Sequence, residues 1–224
     1  MAKVKLDIQL FNSSEDEWFN EEQQRALIEG VRKGLQGIVQ GVERVGARLD
    51  QLTGQWHSQD AEKYGNPTAD DFNTFSPKAI EYVNSVGNWM ASHGAHVNVM
   101  QGNEVHYSNL DGSVNSKVGN FSDDSSRRGL ENADTAENTA NVLRDGVEII
   151  SNGFKDVLNA VRQNPDAMPK GVVPNSLEPV VSQENAKITE EFASFRDSIS
   201  EFLKALHEAI VSSSAQAARD ANGG

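Results

Sequence analysis

Residues 31–64 read "VRKGLQGIVQGVERVGARLDQLTGQWHSQDAEKY". Val31, Leu35, Ile38, Val42, Val45, Leu49 and Leu52 recur at alternating spacings of four and three, which sets them along one face of a helix. The seam stops at glycine, serine and histidine, the composition of a turn, and Trp56 stands inside it. An indole beside small residues at a chain reversal is a partly exposed interface anchor, or else it caps the end of a core. Gly30, Gly34, Gly37 and Gly41 interrupt the same helix, each at about 1 kcal/mol relative to alanine. They line one side, so they either permit a close helix approach or mark a locally weak helix held by tertiary packing.

Three more seams follow. One runs through Ile80, Val83, Val86, Met90 and Val97, the next through Leu143, Val147, Ile150, Phe154, Val157 and Val161. The last runs through Ile188, Phe192, Phe195, Ile199, Phe202, Leu206 and Ala209. "YGNPTADDFNTFSP" (64–77), with two prolines, is expected to separate the first two helices. "QNPDAMPKGVVPNSLEP" (163–179), with four, is expected to separate the last two. A hairpin leaves its seam uncovered, and a second hairpin covers it. The pattern therefore predicts an all-α fold, two antiparallel helical hairpins packing as a four-helix bundle.

The expected organisation is an arm at 1–13, a first hairpin at 14–107, a polar linker at 108–129 and a second hairpin at 130–224. Val4, Leu6, Ile8 and Leu10 alternate as in a strand, but a lone strand lacks a partner, so the arm reads as flexible. Ser14 and Glu17 form a capping-box pattern, and Trp18 packs back as a staple.

Among 224 residues, 33 acids oppose 20 bases for a net charge of -13, which disfavours nucleic acid and anionic membranes. No apolar run reaches the roughly 20 residues of a membrane helix, and mean hydropathy is -0.55, so no membrane insertion is expected. Cysteine is absent, excluding disulfides and thiolate chemistry. "MAKVKLDIQLF" lacks the apolar stretch of a signal peptide, so any export bypasses the general route.

The order of features over about 27–111 resembles the WXG100 family, the small helical hairpins of type VII secretion systems. The resemblance rests on the first seam, Trp56 at the tip, Ala61 and Tyr64 after it, the second seam, and "YSNLD" beyond, where Tyr107 and Asp111 match a Tyr-x-x-x-Asp/Glu export signal. Ser58 stands where that family has glycine, which alters the turn if positive φ is needed there. "LTG" at 52–54 also resembles the Leu-x-Gly of the related LXG proteins. The resemblance implies a secretion substrate or partner that docks on the system's membrane ATPase through Trp56, Ser58, Tyr64, Tyr107 and Asp111. It implies export without a signal peptide after folding in the cytoplasm. The second hairpin then stands in for the separate chain with which family members pair, a fused pseudo-heterodimer. Another WXG100-like protein or an effector is a further partner, and the chain is a monomer or homodimer.

No chemistry competes with a binding role. His93, His96, Glu104 and His106 lack the fixed ligand spacing of a zinc site and read as solvated. "SEDEW" and "SDDSS" lack a calcium-loop pattern, and "SSRRG" (125–129) reads as charged linker. Nucleophile-elbow, phosphate-loop and dinucleotide motifs are missing, so neither enzyme nor cofactor is expected. A virion or scaffold component, or a cytosolic adaptor or chaperone, would need no more than the same seams.

Overall fold

The computed structural model describes residues 2–4, 21–100, 110–111, 114, 117–124, 126, 129–165, 167 and 177–222. Four long helices dominate: α1 (Glu21–Thr53), α2 (Gln59–Met100), α3 (Ala133–Gln163) and α4 (Leu177–Asn222). Four two-residue strands, β1 (Lys3–Val4), β2 (Trp56–His57), β3 (Leu110–Asp111) and β4 (Gly129–Leu130), pair antiparallel as β1 with β3 and β2 with β4. The fold is all-α, as the seams predict.

The chain divides into two compact units, and every helix contributes a segment to each. One comprises Met1–Gln40, Lys78–Val114 and Ile149–Thr189; the other comprises Gly41–Pro77, Asn115–Glu148 and Glu190–Gly224.

In the first unit α1 lies antiparallel on α3, and small residues make the contact. A Cβ added to Gly30 would stand 2.6 Å from the Ala160 Cβ, and one added to Gly34 would stand 2.7 Å from the Gly153 carbonyl oxygen. Gly30 and Gly34 therefore serve close approach, the first of the two roles open from sequence, whereas a Cβ at Gly37 would meet only ordinary contacts. From α2, Tyr82 packs edge-on against Phe154 of α3, with centroids 5.4 Å apart, and its hydroxyl donates to Asn185 Oδ1 of α4 at 3.1 Å. Burial pushes the Tyr82 hydroxyl above its ordinary value. At the edge, Ala2 is buried and its carbonyl accepts from Gln36 Nε2 at 3.3 Å. β1 pairs with β3, Lys3 opposite Asp111, so the strand-like run of the arm does find a partner at its start. Residues 5–20, with Ser14, Glu17 and Trp18, lie outside the described residues.

In the second unit α2 lies antiparallel on α4. Phe72 meets Phe195 edge-on at 5.4 Å, and Phe75 meets Phe192 at 5.2 Å and stacks on Phe195 at 5.6 Å. Here the expected break at 64–77 is corrected. Pro67 and Pro77 lie inside α2, both exposed, and the helix runs on through them. A proline inside a helix costs about 3 kcal/mol. Each phenylalanine buried contributes about 1.5–3 kcal/mol and each ring pair about 0.5–1.5 kcal/mol more. Four such rings, with Thr68 Oγ1 donating to the Tyr64 carbonyl at 2.8 Å and lying 3.2 Å from that of Ser198, outweigh the two prolines. The expected break at 163–179 is found slightly shorter: α3 ends at Gln163 and α4 begins at Leu177, which takes Pro179 into its first turn.

Candidate functional site

The first hairpin reverses between Thr53 and Gln59, in the second unit. Gln51 and Leu52 carbonyls accept from the Gly54 and Gln55 amides at 3.3 and 3.1 Å, which tightens the end of α1. Ser58 then starts α2. Its Oγ accepts from the Ala61 amide at 3.0 Å and its carbonyl from the Glu62 amide at 3.0 Å, an N-cap with Asp60 and Glu62 in the first turn. Ser58 does not take a positive φ, so serine in place of glycine supplies a cap at no backbone strain.

Trp56 is 1% exposed. Its ring packs on Phe202 of α4 with centroids 5.5 Å apart, and β2 pairs it with Leu130. The partly exposed anchor is thus corrected to a core residue, because α4 brings an aromatic ring over the turn. His57 is buried too. Its Nε2 lies 3.1 Å from the Gly54 carbonyl, which can only accept, so Nε2 carries the proton and Nδ1 faces Ser122 Oγ at 3.5 Å. Tyr64, half-buried, holds the Lys63 ammonium 4.7 Å from its ring centre.

The segment expected as a polar linker is seated on α2 over residues 117–124. Asn73 Nδ2 donates to the Val118 carbonyl at 2.9 Å while its Oδ1 accepts from the Val118 amide at 2.8 Å. Asn66 repeats the arrangement on Phe121, at 3.2 and 2.7 Å. Asp50 Oδ1 accepts from the Gly119 amide at 3.1 Å. Val118 and Phe121 are buried, and the Phe121 ring lies on Gly65, where a Cβ would come within 2.4 Å. The same ring meets Phe202 edge-on, with centroids 5.3 Å apart. Sequence reading passed over this strap; the available signal was two apolar residues three apart in a polar run, matched by two asparagines seven apart.

The residues singled out from sequence divide between the two units. Trp56, Ser58 and Tyr64 belong to the tip in the second unit, whereas Asp111 belongs to β3 in the first. Tyr107, Glu104 and His106 lie outside the described residues, as do the side chains of His93 and His96. Among the described residues, no group of three or more His, Cys, Asp or Glu could hold a metal ion, and no helix is long and apolar enough to cross a membrane. Comparison with known protein families, with curated proteins and with solved structures finds no match.

Proposed function

We propose that the chain is a substrate or secretion partner of a type VII system, acting by protein–protein binding and leaving the cell through that system. The observation that carries the reading is the first hairpin's tip. A Trp56 turn closes a glycine-lined, seamed helix, and its indole is covered by Phe202, a residue of the second hairpin. That supports a fused pair, in which the second hairpin does for the first what a separate chain does in the family it resembles. Trp56 then acts by fixing the tip, and the Tyr107–Asp111 tail is the part that docks on the membrane ATPase. A further helical-hairpin protein or an effector is the cargo or companion.

The direct binding test uses the intact chain and the soluble region of such an ATPase. Tyr107→Ala and Asp111→Ala are each expected to weaken binding at least tenfold while leaving the helical circular-dichroism signal unchanged. Binding that is absent in the native chain, or unaffected by either change, removes the docking role.

A further inference from the structure

Independently of secretion, we infer that Ser122 is an acyl-accepting serine. Its hydroxyl, with His57 as general base, takes an acyl group from a small uncharged activated ester or thioester.

Three groups of the second unit stand in line. Ser122 is exposed, and its Oγ lies 3.5 Å from Nδ1 of His57. His57 itself is 5% exposed, and its Nε2 donates to the Gly54 carbonyl at 3.1 Å. That bond fixes the tautomer, so the lone pair of the ring is the one turned toward Ser122. A nucleophile within reach of a base that a third group orients is the arrangement that makes a hydroxyl reactive. Nucleophile and base often rest at a long separation and tighten once the acyl donor is in place. The third group here is a backbone carbonyl. It follows Thr53, the last residue of α1, and so lies at the negative end of that helix. Positive charge taken up by the ring during the attack develops against it.

Both partners are held from behind. β2 pairs His57 with Gly129, and Asn66 grips the amide and carbonyl of Phe121, the residue before Ser122. Neither backbone has to be ordered when the donor arrives. A histidine kept only for packing needs two satisfied nitrogens, and nothing then requires one partner to be a hydroxyl open to solvent.

The step balances without a further reactant. Ser122 Oγ bonds to the carbonyl carbon of the donor as its proton passes to Nδ1. The bond from that carbon to the leaving oxygen or sulfur breaks, and the alcohol or thiol departs with the proton. Ser122 is left as an ester and His57 neutral. Because the step draws on a base alone, the donor must bring a good leaving group. Asp123 and Asp124 follow in the sequence, so an anionic donor is repelled.

The test treats the full chain with 4-nitrophenyl acetate at neutral pH and follows acetylation of each serine by peptide mass spectrometry. Ser126 is the internal control, exposed and four residues on, with its hydroxyl donating to Asp124 Oδ1 at 2.7 Å. A carboxylate is a far weaker base than an imidazole, so Ser122 should react at least about tenfold faster. His57→Gln keeps an N–H for Gly54 but removes the basic nitrogen. It should slow Ser122 at least about tenfold and leave Ser126 unchanged. Equal rates at the two serines, or a Ser122 rate indifferent to His57→Gln in a chain that keeps its helical circular-dichroism signal, overturn the proposal. If His57→Gln unfolds, the native chain is compared in water and heavy water. A proton moving with the attack slows Ser122 in heavy water, and no slowing overturns the assignment of His57 as its base.

Discussion

Replacing Gly34 by alanine sets helix propensity against packing. Alanine in a helix interior is favoured over glycine by about 1 kcal/mol, so propensity alone predicts a more stable protein. The added Cβ, however, would stand 2.7 Å from the Gly153 carbonyl oxygen, 2.7 Å from Val157 Cγ2 and 2.8 Å from the Val157 nitrogen. Two of those three atoms are backbone and cannot rotate away. Ordinary contact begins near 3.5 Å, so α1 and α3 must separate locally by roughly 0.7 Å, and gaps of that size forfeit about a quarter to a half of the dispersion attraction at each contact. Overpacking of this kind costs about 1–3 kcal/mol. Gly37 is the internal control, one turn on along the same helix: its added Cβ would meet only ordinary contacts at 3.7, 3.7 and 4.0 Å. Gly37→Ala should therefore stabilise by up to about 1 kcal/mol. The propensity gain is common to both variants, so their difference isolates packing, with Gly34→Ala the less stable by about 1–3 kcal/mol. Urea unfolding followed by circular dichroism reads this directly, and the melting temperatures should separate by about 2–4 °C per kcal/mol. Equal stabilities, or a more stable Gly34→Ala, would mean that Gly34 is not kept for helix contact.

Three further outcomes follow from the same geometry. Ser58→Ala should lose about 1 kcal/mol in urea unfolding because the Ala61 amide loses its acceptor, whereas Ser58→Gly should lose only a few tenths; equal losses would mean the hydroxyl is no cap. Trp56→Ala should cost about 3–5 kcal/mol, as for a large buried ring, whereas a loss below about 1 kcal/mol would return Trp56 to the surface. Tyr82→Phe should cost about 1–2 kcal/mol at neutral pH by leaving Asn185 Oδ1 without its donor. Because burial raises the Tyr82 hydroxyl, its contribution is intact below the ordinary value of 10.0 and is lost as pH climbs above it. Stability of the native chain measured from pH 8 upward should thus fall more steeply beyond about 10 than that of Tyr82→Phe, and parallel curves would contradict the assignment.

The seams of α1 and α4 were legible because burial there is strictly one-sided: every α1 seam residue from Val31 to Leu52 is buried. α2 was only half legible. Pro67 and Pro77 are strong local stop signals, and what overrides them is a set of rings contributed from more than 100 positions away, such as Phe195, which no local pattern reveals. Phe72 and Phe75 consequently went unread as core. Trp56 stays open in the sequence between an interface anchor and a core cap for the same reason, since its neighbours in sequence are small and polar while its neighbour in space is Phe202. Val118 and Phe121 were hidden by composition: a stretch dominated by Ser, Asn and Asp looks solvated until its amides are seen to be held by Asn66 and Asn73. The cap at Ser58 is legible in the sequence, a serine followed by acids at 60 and 62.

Export is tested most directly by fractionating a bacterium that carries a type VII system and expresses this chain. The native chain should accumulate in the medium only while the system's membrane ATPase is present, and Tyr107→Ala should stay inside the cells as a folded, helical protein. Absence of the native chain from the medium, or export of Tyr107→Ala at the native level, would remove the secretion role and leave a virion component or an intracellular adaptor in its place.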